Sequence, residues 1–203
     1  MKIICIGRNY TEHAKEMKNE IPTEPVIFLK PDTALLKDNQ PFFLPDISSE
    51  IHHEVELVLK ICKTGKHIQE KFASKYYNEI GIGIDFTARD LQNKLKGKGL
   101  PWELAKAFDN SAPVGKFLQK DSFSDLRNIQ FYLTINGNTV QKGNTADLLF
   151  SFDAIISFVS NYFTLREGDL IFTGTPQGVS TVKAGDKLEA YIENKKLLEL
   201  MVK

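Results

Sequence analysis

The stretch Ile51-His52-His53-Glu54-Val55-Glu56-Leu57-Val58-Leu59-Lys60-Ile61 decides how this chain is read. After Glu56 it is short and apolar, the composition of a buried β-strand. Side chains alternate across a strand, so Glu54 and Glu56 point to one side, at the entry to an apolar element. Two carboxylates held together there repel each other and resist desolvation. A divalent cation relieves both problems, and hard oxygen ligands suit Mg2+, Mn2+ or Ca2+. Two solvated glutamates at a strand end are the plainer alternative, because charged residues are mostly exposed.

On either side of it, strand-like runs recur at 2–6, 26–29, 80–86, 129–135, 169–173 and 187–193. Asn136-Gly137 is a hairpin turn signal between two of them, and a last hairpin turns near Glu193-Asn194. Helical patterns are fewer: 9–17, 70–78, and 151–163, where Phe152, Ile155, Ile156, Val159 and Tyr162 fall near one face. The Gly- and Lys-rich segment 94–102 reads as a loop. Strands outnumber helices and do not alternate with them. The expectation is an α+β chain, mainly β, with an antiparallel or mixed sheet rather than a Rossmann sheet.

A length of 203 residues fits one domain spanning 1–203, and 42% hydrophobic residues supply its core. Lys+Arg 26 balances Asp+Glu 26, so no global field favours nucleic acid or a membrane surface. Cys5 and Cys62 lie in apolar runs and read as buried thiols. The apolar run at 3–6 is too short for a bilayer span or a signal core, so a cytoplasmic protein is expected.

Asp85 ends the run Ile80-Gly81-Ile82-Gly83-Ile84, where it is a candidate third metal ligand or a cap for the next helix. Arg89 and Gln92, three apart, share a helix face if the turn after Asp85 continues as a helix. Arg grips carboxylates and Gln donates to oxyanions; a solvated helix face is the alternative. His13 and Glu16 are also three apart. A carboxylate on one imidazole nitrogen raises the basicity of the other, as in a general base; an ordinary surface pair is the alternative. Lys106, flanked by apolar and aromatic residues, either faces an anionic substrate or snorkels. Thr173-Gly174-Thr175-Pro176-Gln177-Gly178-Val179 lets backbone approach a ligand, or is simply a tight turn.

Each signal alone is weak, but their order is specific. Gly7-Arg8-Asn9-Tyr10…His13…Glu16, Phe28-Leu29-Lys30-Pro31, His53-Glu54-Val55-Glu56-Leu57, Asp85 through Gln92, Pro101-Trp102…Lys106 and Gly168-Asp169…Thr173 through Val179 resemble the fumarylacetoacetate hydrolase family. The resemblance covers nearly the whole chain and points to the compact branch with acylpyruvate hydrolases and oxaloacetate decarboxylases. It implies a mixed β-sandwich roll with short peripheral helices, a homodimer, and a Mg2+ or Mn2+ site. By position, the metal ligands fall on Glu54, Glu56 and Asp85, and the base dyad on His13 and Glu16. Lys106 and Gln92 take the oxyanion, while Arg89, Lys30 and Thr175 hold a small 2-oxo acid. The implied reaction is cleavage of a C–C bond in a 2,4-dioxo acid, giving pyruvate and a carboxylic acid, with oxaloacetate decarboxylation through the same site. An isomerase or hydratase of dienoic 2-oxo acids, or a non-enzymatic metal- or ligand-binding module, are the alternatives. Ser180 stands where the family often has glycine.

Overall fold

The run 55–61 lies near the middle of a seven-stranded sheet in the structure, a computed structural model that describes residues 1–16, 20–37 and 39–203. The strands are β1 (Ile3–Gly7), β2 (Val26–Lys30), β3 (Leu35–Leu36), β4 (Ile51–His53), β5 (Val55–Ile61), β6 (Tyr77–Ile84), β7 (Thr87–Ala88), β8 (Ala112–Gln119), β9 (Gln130–Ile135), β10 (Asn138–Asn144), β11 (Leu170–Phe172), β12 (Ser180–Thr181), β13 (Lys187–Ile192) and β14 (Lys195–Met201). The helices are α1 (Thr11–Glu16), α2 (Glu70–Ala73), α3 (Arg89–Gly97), α4 (Glu103–Lys106) and α5 (Phe152–Tyr162). The large sheet runs β2-β1-β11-β5-β6-β8-β3, a second runs β10-β9-β13-β14, and a small one runs β12-β4-β7. The large sheet is mixed: β1 is parallel to β11 and β3 to β8, and the other pairs are antiparallel. This is the mainly β architecture expected.

Strand alternation divides the core. Val55, Leu57, Leu59 and Ile61 of β5, with Ile80, Ile82 and Ile84 of β6, face the second sheet and meet Phe131, Leu133, Leu188, Ala190 and Leu198 in one large cluster. The other face carries Ile3, Cys5, Val58, Leu170 and Phe172 in a smaller cluster. Glu54 and Glu56 belong by parity to this second face.

The two expected hairpins form. Asn136 (φ 52°) and Gly137 (φ 82°) join β9 to β10, and Glu193 (φ 51°) opens the turn before β14. Helix α5 starts at Ser151, whose Oγ accepts from the Ala154 amide at 3.2 Å, and buries Phe152, Ile155, Ile156 and Val159. Four expectations need correction. Tyr162 is 62% exposed, beside Phe158 rather than in the buried stripe. The helix expected at 70–78 stops at Ala73, because Tyr77 already begins β6. The loop expected at 94–102 begins later, since α3 runs through Gly97. Cys62 is only partly buried, and both cysteines are free thiols. Residue 17, the expected end of the first helix, lies outside the described residues. Among the described residues, no helix is long and apolar enough to cross a membrane.

Candidate metal and base centre

The register of β5 against β6 builds the centre. Val55 pairs with Ile84 and Glu56 with Gly83, and the Asp85 amide donates to the Glu54 carbonyl at 2.8 Å. Glu54 therefore lies across from Asp85, and Glu56 across from a residue without a side chain. The three carboxylates project from one face. One oxygen from each lies within 4.8 Å of the others, and all three residues are buried. The reading of two solvated glutamates fails.

Three cations crowd around these acids. Arg89 Nη2 and Lys106 Nζ both bond Glu54, the latter at 2.8 Å. Lys106 Nζ also donates to Asp85 Oδ2 and to Thr87 Oγ1, each at 2.6 Å. Lys30 Nζ is 2.7 Å from Asp85 Oδ1, at an approach that leaves this oxygen without a hydrogen-bond donor. Burial penalises the Glu54 anion, but Lys106 and Arg89 outweigh it and hold the carboxyl well below the usual range. Burial likewise works against the Lys106 ammonium, and Asp85 and Glu54 more than compensate, so its pKa is raised.

Glu56 differs. Among the described residues it has no ion-pair partner; its donor is the Gly174 amide, at 2.7 Å from Oε2. Burial, then Asp85, then Glu54 push its carboxyl well above the usual range. Three cations and three carboxylates share the cluster, but every ion pair among the described residues goes to Glu54 or Asp85 and none to Glu56. Three buried hard-oxygen donors, a donor-free Asp85 oxygen and a Glu56 with no cation beside it fit a divalent cation.

The donor to Glu56 depends on a tight loop. Gly174 holds φ 106°, and a Cβ there would lie 2.7 Å from Asn9 Cβ. Asn9 Nδ2 donates to the carbonyls of Thr173, at 2.8 Å, and Phe150, so the loop after β11 and the entry to α1 are locked together. At the far end of this loop the Gly178 amide donates to the Glu16 carboxylate at 3.1 Å. Glu16 Oε2 stands 3.2 Å from His13 Nδ1, the geometry of an oriented imidazole. His13 is buried in the wall of the cleft; Glu16 lies outside the lining.

The cleft has a volume of about 430 Å³, part of it open to solvent, and is lined by His13, Glu54, Glu56, Asp85, Arg89, Gln92, Lys106 and Thr175 with six further residues. Arg89 and Gln92 share the helix face expected of them, with Arg89 Nη1 donating to Gln92 Oε1 at 2.5 Å. This contact leaves the Gln92 amide nitrogen as the donor for the cleft. Three expected positions are placed differently. Lys30 does not line the cleft: it lies beneath Asp85, bonded to the Ser111 carbonyl and hydroxyl at 3.1 and 2.9 Å. Lys106 is neither a snorkelling lysine nor a free ammonium, since its three protons go to Glu54, Asp85 and Thr87. Thr175 lines the cleft, but its hydroxyl proton goes to the Val55 carbonyl at 2.9 Å.

Sequence reasoning missed Gln141, which is 1% exposed. Its Nε2 donates to Thr175 Oγ1 at 2.9 Å, and its Oε1 accepts from the Val55 amide at 3.0 Å and from His53 Nδ1 at 2.8 Å. His53 Nε2 accepts from Ser180 Oγ at 2.8 Å, a use for the serine that replaces glycine. A lone glutamine in a polar strand carries no sequence signal of such a role. Arg8, Phe28, Lys96 and Trp102 also line the cleft, with no role expected of them from sequence; Arg8, Phe28 and Trp102 stand inside the quoted motifs, and Lys96 does not.

The model of the fumarylacetoacetate hydrolase C-terminal family matches residues 2–202. The chain belongs to this family. It is 44% identical to the mouse oxaloacetate tautomerase FAHD1, mitochondrial, over 99% of this chain and 91% of that protein. It is also 44% identical to the Dictyostelium discoideum oxaloacetate decarboxylase, mitochondrial, over 94% of this chain and 88% of that protein. Its fold superimposes with a TM-score of 0.94, at 34% identity, on fumarylpyruvate hydrolase from Pseudomonas aeruginosa in complex with Mn2+ and pyruvate, covering 100% of this chain and 89% of that one.

Proposed function

We propose that this chain is one catalytic unit spanning 1–203 that interconverts the keto and enol forms of a short 2-oxo acid, oxaloacetate first among them. The observation that carries this reading is Glu56, a buried carboxylate without an ion-pair partner among the described residues, beside the oriented His13–Glu16 pair. Glu54, Glu56 and Asp85 would hold the divalent cation, Mg2+ or Mn2+, which supplies Lewis acidity at the keto oxygen. His13, with Nδ1 held by Glu16, takes the C3 proton of the keto form through its other nitrogen, and a proton returned to the oxygen completes the enol. Gln92 donates its amide N–H to the developing oxyanion. Arg89, fixed between Glu54 and Gln92, keeps that amide in register. The family resemblance brings with it a homodimer, and the cytoplasmic reading rests only on the short apolar run at 3–6.

A second reading is hydrolysis of an acylpyruvate, favoured by the same His13–Glu16 pair and by the named activity of the Pseudomonas relative. Here His13 takes a proton from water, the hydroxide adds to the distal carbonyl, and the C3–C4 bond breaks. Pyruvate enolate and a carboxylic acid result, and protonation at C3 gives pyruvate. Oxaloacetate decarboxylation reaches the same enolate by loss of CO2 and needs neither water nor base.

The test assays oxaloacetate tautomerisation, oxaloacetate decarboxylation, acetylpyruvate hydrolysis and isomerisation of a carboxymethyl-hydroxymuconate side by side, with Mg2+ and after EDTA. Full activity in EDTA sinks the metal-dependent reading. Metal binding without turnover of any substrate favours a binding module. His13→Ala is expected to lower tautomerisation and hydrolysis by about 10²–10⁴-fold and decarboxylation far less. Equal losses in a folded, metal-loaded variant would remove His13 from the base role.

A further inference from the structure

The cleft has two poles, and the reading above uses only the inner one. There, Arg89 and Lys106 are committed to Glu54 and Asp85. Two more cations, Arg8 and Lys96, line the same cleft, so four cationic side chains face three carboxylates. With a divalent cation in place the lining is more positive still, and it calls for an anion carrying more than one charge.

The two outer cations are set by the fold. Lys96 follows Gln92 by four residues and Arg89 by seven on α3, so the three share one helix face. They follow one another outward over about 10 Å of helix axis, and helical side chains lean back toward the N-terminus, which brings Lys96 toward the cleft. Arg8 sits at the end of β1 with φ 60°, a left-handed conformation rare outside glycine. Its neighbour Asn9, bonded to Thr173 and Phe150, holds the backbone there. Such retained strain clusters at ligand sites. The Arg8 guanidinium lies 5.7 Å from the centre of the Trp102 ring, Trp102 lies 6.1 Å from Phe28, and Lys106 Nζ lies 5.1 Å from Phe28. The two aromatic rings thus stand between an inner and an outer cation.

We propose that Arg8 and Lys96 form a second anion-binding pole that takes the carboxylate remote from the keto group, making the cleft selective for dicarboxylic over monocarboxylic 2-oxo acids. It rests on the reading of the inner pole as a 2-oxo acid site. Burial, and then the charges of Arg8 and Arg89, lower the pKa of Lys96, so the two outer cations lie close enough to act on one another.

Trp102, the one tryptophan of the chain, lines the cleft and reports binding directly. Full-length Mg2+-loaded protein is mixed with oxaloacetate or pyruvate, and tryptophan fluorescence is read by stopped flow before turnover. Wild type is expected to bind oxaloacetate at least about tenfold tighter than pyruvate, the scale of one charge-assisted contact. Arg8→Met and Lys96→Met should each cut that preference by about three- to tenfold and leave pyruvate affinity within about twofold; retained pyruvate binding also shows that the variant is folded. Arg8→Lys should restore part of the preference. Lys94→Met makes the same charge change at an exposed position of the same helix and should do nothing. No dicarboxylate preference in wild type, equal weakening of both ligands in the variants, or the same effect from Lys94→Met overturns the proposal. Tight, Arg8-dependent oxaloacetate binding without tautomerisation, decarboxylation or hydrolysis sustains it and overturns the assigned activity instead.

Discussion

Two clusters of basic and acidic side chains in this molecule share their chemistry and differ in their solvent. On the outer side of β13 and β14, Lys187 and Lys196 bridge Glu189 and Glu199 at 2.5–3.4 Å. In the cleft, Lys30, Arg89 and Lys106 approach Glu54 and Asp85 as closely, with side-chain exposures of 7% or less. The first cluster remains hydrated, so water does most of what the partners do. The second has lost its water, so each charge depends on the others, and one missing partner leaves an uncompensated ion. Glu56 is the carboxyl left without such a partner, and burial with Asp85 and Glu54 beside it pushes its pKa well above the usual range. An ion pair becomes chemically demanding through desolvation, not through proximity.

The strongest effect is expected on the buried side. Glu54→Ala strips Arg89 and Lys106 of a shared carboxylate and should lower the unfolding free energy by about 3–5 kcal/mol, measured by denaturant titration in EDTA. A loss under about 1 kcal/mol would mean the cleft behaves like the surface. Glu56→Gln should act in the opposite direction. It removes a carboxyl whose charge is disfavoured by burial and by Asp85 and Glu54, so metal-free protein should be more stable in denaturant titration, while the rise in Tm on adding Mg2+ disappears. If the Mg2+ response survived intact, Glu56 would not be a ligand.

Asp90 is the intermediate case. Its partly exposed carboxylate accepts from Ser48 Oγ at 2.5 Å, from the Leu91 amide at 2.7 Å and from the Ser49 amide at 3.1 Å. Burial is the largest single effect and works against the anion, but the donors from Ser48, Leu91 and Ser49 together outweigh it, so its pKa is lowered. A depressed folded-state pKa contributes stability above the unfolded value, which is lost as the pH falls through the folded one. Asp90→Ala should therefore cost about 1 kcal/mol at neutral pH and progressively less below about pH 4. A pH-independent loss would assign the effect to packing. The weakest response belongs to the surface: Lys196→Ala should leave Tm unchanged in moderate salt, and a clear drop would mean that this cluster is more desolvated than its exposure implies.

Much of the fold was legible because its strands carry strong apolar periodicity, as in β1, β5, β6 and β13. The strand β8 was not, since Pro113 and Gly115 interrupt it. Gly115 is there because a Cβ would lie 2.3 Å from the Leu197 carbonyl oxygen, where β8 crosses close to β14. The helix expected at 70–78 failed for the converse reason: Tyr77 is claimed by the ladder with β5. In the site, His13–Glu16 and Arg89–Gln92 were legible because local helical spacing brings each pair together. Gln141 was not, because its partners His53, Val55 and Thr175 lie 34 to 88 residues away along the chain. The place of Lys30 was hidden for a similar reason, since Asp85, the acid it meets, belongs to a distant segment.

Side-chain periodicity and turn chemistry are written in the sequence, and they dictated the strand content, the two hairpins, and a set of acids, bases and cations with short-range spacing. Which of those charges lose their water was settled by tertiary packing. It placed Asp85 across from Glu54, sank Lys30 and Lys106 among the acids, and left Glu56 without an ion-pair partner among the described residues. Desolvation is a property of everything packed around a group, and no local stretch of chain encodes it.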